Sequence, residues 1–236
     1  MLNIDFTFRL FPEGMLNLKK LISVIMVIPS LAALSILFQP AVAAELNDSD
    51  MENNGWAVAV SGGFILPLSG SIDMENSSAD LLDNGPELAL SVSKRVSSRF
   101  STRITAAAGR MNFAREIYET SSNFSLASLV LSNSFSILRP GKLDIYIRAG
   151  AGMYYWRISE HEFFGGARQF EGEDLHKISI GLQGGLGAEF TLSRRISVTA
   201  ESNYNYILCK DTFHFGQGFT EQGLININFG LKFYPL

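Results

Sequence analysis

Between Leu143 and Trp156 the chain alternates apolar and polar residues. Leu143, Ile145, Ile147, Ala149, Ala151 and Met153 hold one parity; Asp144, Tyr146, Arg148, Gly150 and Gly152 hold the other. A period of two describes a strand with two unlike faces. At about 3.3 Å per residue the run outlasts an ordinary strand of about 5–6 residues, and it suits the roughly 9–11 tilted residues that cross a bilayer. Seven further stretches repeat the pattern, so strands are expected over 56–66, 87–96, 100–113, 123–138, 143–159, 177–192, 196–208 and 223–234. Two such faces ask for two surroundings, lipid on one side and a polar lumen on the other.

The connections follow a rhythm. Residues 67–86, 114–122, 160–176 and 209–222 are long and rich in polar residues, whereas 97–99, 139–142 and 193–195 are tight. Alternating long and short connections describe a meander, with short turns facing the periplasm and longer loops facing outside. The fold class expected is therefore all-β, an eight-stranded antiparallel up-and-down transmembrane β-barrel over residues 55–236. Closure leaves no exposed strand edge in lipid.

Aromatic residues gather at the strand ends. Trp56, Phe100, Phe135, Phe190, Phe233 and Tyr234 belong to the short-turn ends; Phe64, Phe113, Phe124, Tyr155, Trp156, Tyr204 and Tyr206 belong to the long-loop ends. Two girdles at lipid headgroup depth are expected from that placement. Strand-forming aromatics scattered without such a purpose are the plainer alternative.

The first 44 residues read as a targeting segment. Lys19 and Lys20 precede an apolar run from Leu21 to Leu34, and Ala41-Val42-Ala43-Ala44 supplies a small-residue cleavage site. This is the pattern of a secretory signal peptide, with Met15 a second candidate start. The alternative is an N-terminal membrane anchor. Residues 45–54 form a short polar periplasmic segment ahead of the barrel. Removing 1–44 takes away Arg9, Lys19, Lys20, Asp5 and Glu13, and moves the formal charge of −4 to −5. A mildly acidic chain without clustered bases gives no nucleic-acid footprint. Cys209 is the single cysteine, so no disulfide framework exists within the chain.

The polar parity shows what the lumen holds. Strand 177–192 turns Ser179, Gly181, Gln183, Gly185, Gly187 and Glu189 inward, and strand 196–208 turns Ser197, Thr199, Glu201, Asn203 and Asn205 inward. Asn226, Asn228, Gly230 and Lys232 follow on the last strand, with Glu87 and Arg95 on the second. Arg103, Arg148, Glu189 and Glu201 all stand about four or five residues above the short turns. An eight-stranded barrel is only wide enough for side chains to fill, and buried charge is tolerated when paired. A polar cluster is therefore expected, with Arg148 bridging Glu189 and Glu201 and Arg103 approaching from the opposite wall. It reads as an interior plug; an ion-conducting constriction is the functional alternative. Inward glycines make room for long side chains from neighbouring strands.

No catalytic constellation emerges. His161, His176 and His214 fall in the long loops near Glu162, Asp174 and Asp211, but no serine stands in a recognisable relation to them. Their spacing matches no metal-ligand pattern. The runs Gly150-Ala151-Gly152 and Gly181 to Gly187 lie inside strands, whereas a phosphate loop needs a glycine turn that opens a helix. No enzyme, metal or cofactor is implied.

Eight amphipathic strands and a last strand reading Asn226-Ile227-Asn228-Phe229-Gly230-Leu231-Lys232-Phe233-Tyr234 make residues 55–236 resemble the bacterial outer-membrane β-barrel domain family, the small OmpA/OmpX-type barrels. The alternating last strand resembles the sorting signal read by the barrel-insertion machinery. It differs from the family pattern in ending Pro235-Leu236 rather than in Phe. The resemblance implies a monomer in the bacterial outer membrane, in contact with outer-membrane lipid and with barrel-insertion machinery during biogenesis. It also implies envelope integrity, surface interaction with an extracellular ligand at the long loops, or slow passage of small solutes. Fold alone does not choose among these. The expected role is structural or surface-interacting, with a side-chain-filled lumen. A narrow channel for small or apolar solutes and a rim-located lipid-modifying enzyme are the alternatives. A soluble lipocalin-like barrel would need the apolar parity to face inward.

Overall fold

In the computed structural model, residues 55–72, 77–113, 122–160, 167, 169–170, 173–210 and 219–235 are described. The expected signal segment 1–44, the segment 45–54, His161 and His214 lie outside these residues. The barrel strands are β1 (Trp56–Ser69), β2 (Gly85–Arg95), β3 (Phe100–Asn112), β4 (Ser122–Leu138) and β5 (Leu143–Glu160). A two-residue pair, β6 (Gln169–Phe170) and β7 (Glu173–Asp174), lies in the connection before β8 (His176–Thr191), β9 (Ile196–Ile207) and β10 (Gln222–Phe233). Eight antiparallel strands close in the order β1-β10-β9-β8-β5-β4-β3-β2. The seam runs from Val58 opposite Phe233 to Ser69 opposite Gly223, with one register shift at Pro67/Ser69. Proline has no N–H to give a ladder, which makes that position a natural place for the irregularity.

The short turns are closed by few bonds. Backbone N–H groups of Val96 and Ser97 donate to the carbonyl of Phe100, and those of Leu192 and Ser193 donate to that of Ile196. Gly141 turns the remaining one at φ 63°, a left-handed conformation that costs glycine little.

The two faces separate as the alternation requires. Leu88, Leu90, Val92, Ile104, Ile178, Ile180, Leu186 and Phe229 lie on the outside, most of them more than half exposed. Large apolar side chains exposed together on one face mark a surface that meets something other than water. Ser91, Ser93, Ser132, Ser134, Thr199, Asn203 and Asn228 are buried inside. Strand, pleat and closure together therefore put the apolar parity outward.

The interior has two storeys. Toward the short turns it is polar. Toward the long loops it is apolar, built from Ile65, Met111, Phe124, Leu126, Trp156, Ile158, Ile207 and Leu224 on the strands. Loop residues complete this upper storey. A helical turn, α1 (Ser78–Leu81), is capped by the Ser77 side chain, which accepts from the backbone N–H of Asp80 at 3.3 Å. It delivers Leu81 and Leu82 into the barrel mouth, where both are buried. Phe219 and Cys209 join it from the neighbouring β9–β10 connection. The polar parity of the sequence is thus polar only in its lower half. Near the loops the same parity turns apolar, because there it packs against loop residues instead of water or paired charge.

Candidate functional site

The lower storey centres on Glu201 of β9. Arg103 from β3 donates through Nη1 to Glu201 Oε1 at 2.6 Å, and Arg148 from β5 forks onto both oxygens at 2.6 and 2.7 Å. The Tyr146 hydroxyl adds a donor to Oε1 at 2.5 Å, and Arg148 Nε reaches the Ser134 hydroxyl at 3.2 Å. Charge-assisted, bidentate geometry of this kind is the strongest polar contact a protein makes. Register explains how distant strands meet. Tyr146, Gly187 and Glu201 stand in one row across β5, β8 and β9. A Cβ at Gly187 would run into the Tyr146 ring. The glycine therefore clears the path by which tyrosine crosses one strand to reach the carboxylate. Gly185 stands in the same way between Arg148 and Asn203.

Glu189 is elsewhere. It takes the Lys232 ammonium at 2.8 Å and the Tyr234 hydroxyl, nearer the short turns. The expected bridge from Arg148 to Glu189 is corrected accordingly: Arg148 and Arg103 share Glu201, and Lys232 serves Glu189. In register the residue opposite Glu189 is Asp144, with Gly185 opposite Arg148. The arginine therefore starts beyond the glutamate and leans toward β9. The alternation puts Lys232 on the lumen face but assigns it no partner.

A third group lies deeper. Glu87 accepts from Asn226 at 2.5 Å and Asn228 at 2.8 Å, with no bond to Arg95. Asn205 donates to Asn226 at 2.8 Å, and in turn accepts from the Tyr154 hydroxyl and from Gln183, each at 2.9 Å. A cavity of about 30 Å³, lined by Glu87, Arg103, Arg148, Glu201 and Asn203 among others, separates the two networks and has room for about two waters. Two guanidinium groups on one carboxylate leave one positive charge over, and Glu87 faces it across this cavity. Three buried bases, Arg103, Arg148 and Lys232, are thereby set against three carboxylates, Glu87, Glu189 and Glu201.

The aromatic residues divide. Trp56, Phe64, Tyr155, Phe190, Tyr204 and Phe233 are exposed on the wall, and Phe100 and Tyr206 are half-buried. Trp156 and Phe113 are not girdle residues. Trp156 is completely buried, stacks on Phe219 at 4.6 Å, and donates from its indole to Ser179 at 3.0 Å. It shares parity with Asp144 and Arg148, so its ring must point inward. Phe113 shares parity with Arg103 and is buried for the same reason. Position near a strand end had suggested the girdle; parity decides the face.

Among the other candidates, His176 opens β8 on the exterior with its ring 6.0 Å from Tyr155. Cys209 is buried, and burial pushes its thiol up to about 12. It donates to the Thr220 carbonyl at 3.4 Å.

Among solved structures the chain is similar to neisserial surface protein A, with 16% identity, a TM-score of 0.50, and coverage of 76% of this chain and 96% of that one. It also matches the attachment invasion locus protein Ail of Yersinia pestis, at 16% identity, TM-score 0.44, and 76% and 99% coverage. A third match is outer membrane protein OprG of Pseudomonas aeruginosa, at 16% identity, TM-score 0.40, and 78% and 98% coverage. No family model and no curated protein matches the chain. The fold is that of the eight-stranded outer-membrane barrels.

Proposed function

We propose that this chain is a monomeric outer-membrane barrel whose lumen is closed and whose role is structural or surface-interacting. Its short turns lie in the periplasm and its long loops outside, where segments 67–86 and 160–176 carry any recognition of an extracellular ligand. The observation that carries this reading is the two-storey interior. The Arg103–Glu201–Arg148 group crosses the barrel below, and Trp156, Phe124 and Phe219 stack across it above. An apolar storey over a paired-charge storey offers an ion no continuous hydrated path.

Conductance in planar bilayers tests it. The expected record is flat, both for the wild type and at high applied voltage. Steady openings whose ion selectivity changes on Arg148→Ala would replace the plug by a channel gated at that group. Location is tested separately: the protein should fractionate with outer membranes, and its gel mobility should shift on heating. Recovery of the folded protein without detergent would overturn the membrane reading.

A further inference from the structure

The short-turn end carries charge of one sign. Lys94 and Arg99 flank the first turn, Arg139 and Lys142 the second, and Arg194 and Arg195 the third, all six exposed. No acid stands within these turns. The nearby carboxylates are already engaged, Asp144 by Arg139 at 2.7 Å and Glu189 by Lys232 inside. The long-loop end differs: among its described residues Asp80, Asp83, Asp174 and Glu221 mix with Arg157, Lys177 and Lys210.

Depth matters as much as sign. Leu88, Leu90, Val92 and Lys94 form one outward row on β2, apolar until its last member. The Lys94 ammonium stands 5.5 Å from the centre of the exposed Trp56 ring. A tryptophan and a lysine at the end of an apolar wall sit where hydrocarbon gives way to headgroups. Cations at that depth meet lipid phosphates before they meet any soluble partner.

We propose that this basic collar binds the headgroups of anionic phospholipids in the leaflet on the short-turn side. The proposal rests on the membrane-spanning reading above. Each base near a charged membrane surface adds attraction that dies away within a Debye length of about 10 Å at 0.1 M salt. A competing occupant is the chain's own segment 45–54, which holds Glu45, Asp48, Asp50 and Glu52. With Arg139 already paired to Asp144, five exposed bases remain against those four acids, and the excess of positive charge leaves the lipid as the favoured partner.

The chain's two tryptophans provide the readout, because Trp56 faces outward and Trp156 is sealed inside. The full-length protein isolated from membranes would be placed in mixed vesicles containing brominated phosphatidylglycerol or brominated phosphatidylcholine at equal mole fraction. The brominated anionic lipid should quench Trp56 as though enriched about fivefold around it, and the enrichment should vanish in about 0.5 M salt. The quintuple change Lys94→Gln, Arg99→Gln, Lys142→Gln, Arg194→Gln and Arg195→Gln should bring the ratio to about one. Lys94→Gln alone, which leaves the turns intact, should lower it part of the way.

Equal quenching by both lipids in the wild type would overturn the headgroup proposal and leave the barrel in the membrane. No quenching by either would overturn the membrane-spanning reading itself. A preference that appears only after Glu45→Gln, Asp48→Asn, Asp50→Asn and Glu52→Gln would give the collar to the chain's own segment and overturn the lipid as its occupant.

Discussion

At the scale of single residues, Glu201 has the most to lose. Its carboxylate is the common acceptor for Arg103, Arg148 and Tyr146. Glu201→Gln strands two guanidinium groups inside the barrel, and breaking a buried pair in this way costs about 3–5 kcal/mol. Urea unfolding in vesicles should show that loss. Adding Arg103→Met should recover part of it, because the second change removes one of the stranded charges. Glycines permit a paired comparison on one strand. Gly187→Ala pushes against Tyr146 and should cost about 1–3 kcal/mol, while Gly184 faces open space and its alanine variant should shift stability by no more than about 0.5 kcal/mol. Equal effects at the two sites would mean that the tyrosine does not depend on the gap. Cys209 gives a chemical check. With its thiol pushed up to about 12 by burial, almost none is thiolate at pH 8, and the thiolate is the nucleophile. Maleimide should leave it unlabelled in the folded barrel and label it after heating.

At the scale of elements, α1 has no strength of its own, since a single helical turn is unstable alone. It holds because Leu81 and Leu82 enter the apolar storey and because Ser78 and Gln222 bond across the mouth. Gln222 also donates to the Ser71 carbonyl at 2.9 Å, and the Ser71 backbone N–H donates to the Thr220 hydroxyl at 2.8 Å. Two long connections are thus tied to each other over the opening. Leu81→Ala should release this tie at a local cost of about 2–5 kcal/mol. Hydrogen exchange at 77–83 should accelerate while exchange in β9 and β10 stays slow. Acceleration throughout the barrel would instead make α1 part of the fold's cooperative core.

At the scale of the whole molecule, the outward wall decides what surrounds the protein. Leu90 lies midway along β2 and is more than half exposed. Leu90→Arg should cost about 2–4 kcal/mol if the wall meets lipid near the bilayer midplane, falling toward zero at the interfaces. In water the same exposed exchange would be nearly silent. Unfolding in vesicles distinguishes the two, and a silent outcome would count against lipid on the wall. Barrel closure also gathers residues far apart in sequence into one interior. Arg103 and Glu201 meet across the lumen, and Glu87 meets Asn226 and Asn228 across the β1–β10 seam.

The alternation of residues by itself determined the strands, their number and the face each residue takes, because period two fixes side-chain direction locally, and the long and short connections determined the up-and-down order. It placed Arg103, Arg148, Glu201 and Lys232 inside. Parity also held the signal for Trp156 and Phe113, although their position near strand ends suggested the girdle. Tertiary structure alone decided the partners. Which carboxylate an arginine reaches depends on register across strands and on the gap a glycine leaves, neither of which is written within one strand. It likewise decided that the upper lumen is apolar, because that storey is completed by Leu81, Leu82 and Phe219 from loops whose packing no local pattern encodes. The wall follows from nearest neighbours in the chain; the plug follows from how the closed barrel brings distant neighbours together.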